Sequence, residues 1–422
     1  MPVNATRLRS LQALGMFCGF TAGAWLGGAE APIKLVNAEI SPITVSLVMV
    51  CGVFLARWSV PALVRGTSHI RADVGQAPHL VVWAILAGCM WAVANTLTIY
   101  AIRNVGLSIA FPLWNTNSLL GIFWGFLLFK ELHAAGWKRW LGVIGGALCM
   151  FAGAALLAVA SSHEAAPGKA TLGIAAALGA GILWGTMYIP YRKAYLTGMN
   201  PLSFITFFTV GELFTMLILA ISYRGAAPLW HELSAARAVL FWLMLGGFVW
   251  VIGDLFQQYA TKYVGISRGI PLSNTNQLWG LLWGVLVFHE LRGASHITYE
   301  QVVGGSILMA LGAVAIALSS ATESEHSSWK DAAQREGDRY GVEDEYVRAG
   351  MEGRAYESST AGRSALDWLV IFVATALFAA LAIISKPPQV EVSFVWAAAL
   401  SVVMFTLMAA CGVALWRTTR FR

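Results

Sequence analysis

Pro112-Leu113-Trp114-Asn115-Thr116-Asn117 recurs 159 residues later as Pro271-Leu272-Ser273-Asn274-Thr275-Asn276, and this repetition decides how the chain is read. Laid against each other at that offset, residues 91–132 and 250–291 share 19 identities in 42 gap-free columns. Gly121, Trp124, Gly125, Phe129, Glu131 and Leu132 face Gly280, Trp283, Gly284, Phe288, Glu290 and Leu291. Composition alone does not produce a match that stays in register, so the chain contains a duplication. The same offset pairs Gly145-Gly146 with Gly304-Gly305. An offset of 158 pairs the ladder Gly15, Gly19, Gly23, Gly27 with Gly173, Ala177, Gly181, Gly185, and Pro32 with Pro190. Small residues every four positions let helices pack backbone to backbone inside a membrane. Because span six repeats span one, the first span reads as a permanent helix and not as a cleaved signal.

Outward from the repeat, the composition is that of a membrane protein. Hydrophobic residues make up 58% of 422, mean hydropathy is +0.66, and charged residues are 12%, whereas a soluble domain carries about twice that charge fraction. Apolar stretches of span length fall near 11–33, 42–60, 78–101, 107–130, 138–161, 171–191, 201–222, 238–261, 266–289, 300–320, 366–386 and 392–416. The expected fold is an all-α integral membrane protein. Five spans per copy, an odd number, predict an inverted 5+5 transmembrane-helix repeat with a C-terminal two-helix extension. The expected units are 1–162 (first repeat), 163–320 (second, inverted repeat), 321–365 (disordered cytoplasmic linker) and 366–422 (transmembrane hairpin). The linker holds 10 acidic and 6 basic residues, too polar to form a core alone. Packing or a homo-oligomer contact is the simplest use for the hairpin.

Fifteen Lys and Arg, from Arg7 and Arg9 through Arg57, Arg65, Arg192 and Arg268 to Arg422, fall on the side of the N-terminus; seven fall in the opposite loops. The positive-inside rule therefore predicts a multi-pass protein of the cell (inner) membrane with both termini cytoplasmic. The net charge of +6 follows from this spread and gives no nucleic-acid patch. Cys18, Cys51, Cys89, Cys149 and Cys411 lie within predicted spans without a C-x-x-C, and no H-E-x-x-H or P-loop motif occurs. Redox, metal and nucleotide chemistry are disfavoured, and no cofactor or enzymatic activity is expected.

Polar groups at membrane depth are costly unless they meet a partner or a cavity. Asn115 and Asn117 in span four, and Asn274, Asn276 and Gln277 in span nine, each follow a proline that removes a backbone donor and kinks its helix. Amides carry donors and acceptors, which suits a neutral hydroxyl-rich solute; the same amides serve equally as interhelical hydrogen-bond partners. Trp91, Trp250 and Trp114 supply flat apolar walls, with ordinary packing the alternative. Glu212 and Asp254 are embedded acids and the candidates for cation coupling. Glu131 and Glu290 read as interfacial anchors.

At this point the chain resembles the drug/metabolite transporter superfamily over residues 11–320. Pro271-Leu272-Ser273 followed by Gln277-Leu278 is similar to the helix-nine pattern of the glucose/ribose porter family of sugar uptake proteins. The resemblance implies secondary-active uptake of a monosaccharide or similar neutral polar solute by alternating access, coupled to a proton or sodium ion. Trp283-Gly284 to Phe288 is also similar to ureide permeases, so a ureide-type or drug/metabolite permease stays open. So does a non-transporting membrane sensor or scaffold. The expected partners are a small polar solute, the coupling ion and the lipid bilayer.

Overall fold

The computed structural model describes residues 5–36, 40–105, 110, 113–114, 116–133, 135–160, 170–289, 291–319, 321–354, 363–386 and 390–422. Among these the chain is helical without strands. In order the helices are α1 (Ala5–Gly28), α2 (Glu30–Lys34), α3 (Pro42–Val64), α4 (Ser68–Gln76), α5 (His79–Val105), α6 (Asn117–Phe129), α7 (Trp137–Ala160), α8 (Ala170–Leu196) and α9 (Pro201–Arg224). Then follow α10 (Ala226–Ala235), α11 (Leu240–Val264), α12 (Ile266–Ser273), α13 (Asn276–Leu282) with a π turn over Trp283–Val287, α14 (His296–Leu318), α15 (Glu323–Tyr340), α16 (Asp344–Met351), α17 (Ala365–Ile384) and α18 (Phe394–Thr419).

Nine of the described helices are long and apolar enough to cross a membrane. The other three predicted spans have separate reasons for differing. The glycine ladder dilutes the hydropathy of α1. Span four is described as a helix only over Asn117–Phe129. Span nine is broken into α12, α13 and the π turn. Pro271 lies inside α12, which ends as Asn274 N–H returns to the carbonyls of Ile270 and Pro271 at 3.2 and 3.1 Å. The predicted interruption of span nine is thus present; Pro112, its counterpart, lies outside the described residues.

The repeats pack by one set of rules. Helix α1 lies on α11 as α8 lies on α5; α3 lies on α11 as α9 lies on α5; α13 lies on α1 as α6 lies on α8. Glycines show this most sharply. A Cβ on Gly52 would strike the Met244 carbonyl, and on Gly211, 159 residues on, the Ile85 carbonyl. Gly88 meets the Phe208 carbonyl in the way Gly247 meets that of Met49. The glycine ladders seat the broken helices: Gly27 abuts Asn276 and Trp279, and Gly185 abuts Asn117 and Leu120. Lipid supplies no hydrophobic drive between helices, so close backbone approach is what holds them.

Two expectations are corrected here. Residues 323–351 of the presumed disordered linker form α15 and α16, which pack on α8. Their physical anchor is a buried ion pair, Arg268 to Glu325 at 3.0 Å, with both side chains almost wholly inaccessible. Glu325 also accepts from Leu132 N–H at 2.8 Å, and Thr322 and Glu325 form a reciprocal capping box that starts α15. Trp329, Tyr346 and Val347 are buried beneath, enough apolar surface to fold a segment that is otherwise polar. The terminal helices also differ from a simple hairpin. Helix α17 lies on α3, while α18 lies on α1 and the π turn, and their connection is fastened by Lys386 N–H to Ala238 O and Ser393 N–H to Val287 O.

Candidate transport site

Helix α3 carries Arg57 seven residues before its end, and the side chain is fully buried. Its guanidinium donates to Glu212 Oε2 at 3.2 Å and to Asp254 Oδ2 at 2.8 Å. Both acids are equally inaccessible and lie near the middles of α9 and α11. One arginine of the first repeat therefore answers two carboxylates of the second. The planar fork of Arg makes such two-sided pairing possible, which an ammonium cannot match. The guanidinium plane is flanked by Phe208 at 4.1 Å and Trp250 at 5.2 Å from the ring centroids.

Trp250 in turn touches Trp91 edge to face, with centroids 5.3 Å apart. These two rings are 159 residues apart, so the repeat mates meet each other where the two copies join. Asp254 is held further by Gln258 Nε2, 3.0 Å from its Oδ1, and the Gln258 carbonyl accepts the Tyr195 hydroxyl. Glu212 Oε1 and Arg57 Nε are buried without a hydrogen-bond partner among the described residues. The triad is closely paired but not saturated. Taking several charges out of water costs several kcal/mol per ion, so the arrangement is an expensive one for packing alone.

The amides lie elsewhere. Asn274 Nδ2 donates to the Ser118 hydroxyl, which donates to Asn117 Oδ1 at 3.3 Å. Asn274 and Gln277 line a narrow crevice, with room for about one water, together with Ser118, Pro271, Phe151 and Met309. Its walls come from α6, α7, α12–α13 and α14, so both repeats contribute. Asn276 Oδ1 is buried without a hydrogen-bond partner among the described residues. Trp114 packs edge to face on Trp184, centroids 6.2 Å apart. Asn115 lies outside the described residues.

The structure thus gathers Trp91, Trp250, Glu212 and Asp254 in one place and Asn117, Asn274 and Gln277 in another. It adds Arg57 and Tyr195, which the sequence reading missed. Arg57 was counted among the basic residues of the short connecting segments, yet it stands inside an apolar run, and that position was the available signal. Glu131 is corrected as well. Its carboxylate is fully buried, pairs with Arg192 Nε at 2.8 Å and accepts Ile266 and Ser267 N–H at 3.2 and 2.9 Å, so it caps the start of α12 and is no interfacial anchor. Glu290 lies outside the described residues.

Nine membrane-length helices among the described residues define a multi-pass membrane protein. The chain belongs to the family described as sugar transport protein, which matches residues 35–160 and 175–337. It is similar to the glucose uptake protein GlcU of Staphylococcus xylosus, 23% identical over 218 residues, 50% of this chain and 70% of that protein. It is similar also to the putative sugar uptake protein lin0215 of Listeria innocua, 23% identical over 237 residues, 55% and 77% of the two chains. A putative sugar uptake protein of Streptococcus pyogenes serotype M3, SpyM3_1856, is 39% identical over 85 residues, 19% and 28% of the two chains. The resemblance read from Pro271-Leu272-Ser273 and Gln277-Leu278 is borne out at the level of the family.

Proposed function

We propose that the protein takes up a monosaccharide or similar neutral polar solute by alternating access of two inverted repeats, coupled to a cation, with both termini in the cytoplasm. The observation that carries the coupling is the Arg57–Glu212–Asp254 triad at the junction of the repeats. With both acids ionised the triad holds one surplus negative charge; with one protonated it is neutral. A buried site that alternates between these two states binds and releases a proton as solvent reaches it from either side, because a buried charge is tolerated only while it is paired. Sodium is the second candidate, since carboxylate oxygens also suit a hard cation.

Solute recognition is assigned to the amide crevice. Asn274, Gln277 and Ser118 offer donors and acceptors together, and a broken helix exposes backbone polar groups there, as at many transporter sites. Trp91 and Trp250 form the apolar wall beside the triad. The relatives' names, glucose uptake and sugar uptake, support a sugar as the solute. Flux into proteoliposomes, screened over monosaccharides, ureides and cationic drugs with imposed pH or sodium gradients, tests this reading. Saturable sugar entry enhanced by an inward proton gradient is the expected result; entry of a ureide or drug but of no sugar would replace the solute.

A further inference from the structure

Residues 321–352 run across the end of the bundle where α1 and α5 begin and α8 and α11 end. Both ends of this run are tied to α1: Gln12 Nε2 donates to Ala321 O at 2.6 Å, and Arg7 Nη2 donates to Glu352 O at 2.9 Å. Between those ties, α15 and α16 reach α4, α5 and α8. The Tyr340 ring stacks on His79 at the start of α5, centroids 3.8 Å apart, and Glu336 meets Lys193 of α8 at 3.2 Å. Tyr346 donates to Asp73 Oδ1 of α4 at 2.8 Å, both side chains buried, and Gly350 meets Gly198 backbone to backbone. At the centre Glu325, wholly inaccessible, joins Leu132 N–H of the first repeat to Arg268 of the second. The segment is thus bonded to two helix pairs, α1 with α11 and α5 with α8, which are repeat mates. In alternating access such mates part at one end of the bundle and then at the other. A segment bonded to both resists parting at its own end, because opening leaves buried polar groups without partners. The position that mirrors it in the first repeat follows α7, where only nine residues, 161–169, lead to α8. That is too short for two such helices, so the device is one-sided.

We propose that α15 and α16 form an autoinhibitory strap that holds this end of the carrier shut, with the Glu325–Arg268 pair as its pin. Release of solute at this end waits on detachment of the strap, which sets the pace of uptake. Glu325 and Tyr346 act as positioning residues and touch no solute. The effect on uptake rests on the alternating-access reading above; the closing of this end rests on the bonds alone.

The test uses two readouts on the full chain. Lys262→Cys, with the native cysteines replaced by Ala, places a thiol beneath α15, where Lys262 is 7% exposed beside His326 and Trp329. Its rate of reaction with an impermeant maleimide in nanodiscs reports opening of this end without any solute. Initial sugar uptake into proteoliposomes reports turnover. Glu325→Gln keeps the shape of the side chain and removes the charge facing Arg268. Tyr346→Phe removes only the bond to Asp73, and this variant serves if Glu325→Gln fails to fold. Each is expected to speed labelling about five-fold or more, the size of one lost hydrogen bond, and to raise uptake, whereas loosening a merely structural brace would lower it. In the other direction, bridging Asp73→Cys and Tyr346→Cys with a cleavable bis-maleimide is expected to stop uptake, and cleavage to restore it. Unchanged labelling in both variants overturns the strap. So does uptake that falls in both, or that continues at full rate in the bridged protein. A wild type that carries no sugar sinks the functional reading by itself, and the labelling rates still decide whether the strap holds this end shut.

Discussion

Arg57 is where one residue decides the most. Removing it leaves two buried carboxylates facing each other without a counter-ion, and breaking a buried ion cluster in this way costs about 3–5 kcal/mol. Arg57→Met is therefore expected to lower the melting midpoint sharply, and Arg57→Met with Glu212→Met and Asp254→Leu to recover much of the loss. A single variant no less stable than the triple one would show that the cluster carries no electrostatic load. At the amide crevice, Asn274→Ala is expected to weaken solute binding by about 1–3 kcal/mol while the protein still inserts, because polar partners are left unanswered; isothermal titration in detergent measures it. The acids and tryptophans could be picked out along the chain, since polar or aromatic residues inside apolar runs stand out. Their joining could not. Arg57 is 155 residues from Glu212 and 197 from Asp254, and nothing local at any of the three positions reports the contact.

Among the elements, the broken ninth span and the glycine ladder that seats it belong together. Gly27 approaches Asn276 and the Gly280 backbone too closely for a side chain. Gly27→Val is expected to push α1 off α13 and destabilise by about 1–3 kcal/mol, as overpacking does, whereas Gly412→Ala, on open space in α18, should be neutral. Equal melting midpoints for the two would contradict this packing. The break was legible because Pro271 and the small-residue spacing are local signals. Helix α15 was not, because its polar composition hides how few buried side chains suffice. Helix α15 also carries a pH dependence. His326 is lowered in the folded state to about 4 from 6.5, so the unfolded segment binds the proton more readily. Stabilisation is full above 6.5 and is lost as pH falls toward 4, at most about 2 kcal/mol between pH 6.5 and 5. Hydrogen exchange of residues 323–340 should quicken over that range in wild type and much less in His326→Gln.

Over the whole molecule, two copies of one helix set, packed by matching rules, meet at a charge triad on one side and an amide crevice on another. The duplication and the nine membrane-length helices among the described residues could be read from sequence, because periodic glycines and apolar runs are intrinsic to the chain. The docking of α15, α16 and the two terminal helices depends on long-range contacts and could not. If the basic end is cytoplasmic, a probe on Lys386→Cys should be labelled by an impermeant reagent in intact cells, and one on Arg348→Cys only after permeabilisation; the reverse pattern would invert the orientation. The central claim, that the triad couples a cation to solute movement, is tested most directly by uptake into proteoliposomes under an inward proton gradient. The comparison is wild type against Glu212→Gln, which keeps the shape but cannot titrate. Wild type is expected to accumulate sugar above equilibrium, and Glu212→Gln to exchange it at equal concentrations without accumulation. Undiminished accumulation by Glu212→Gln would contradict the account.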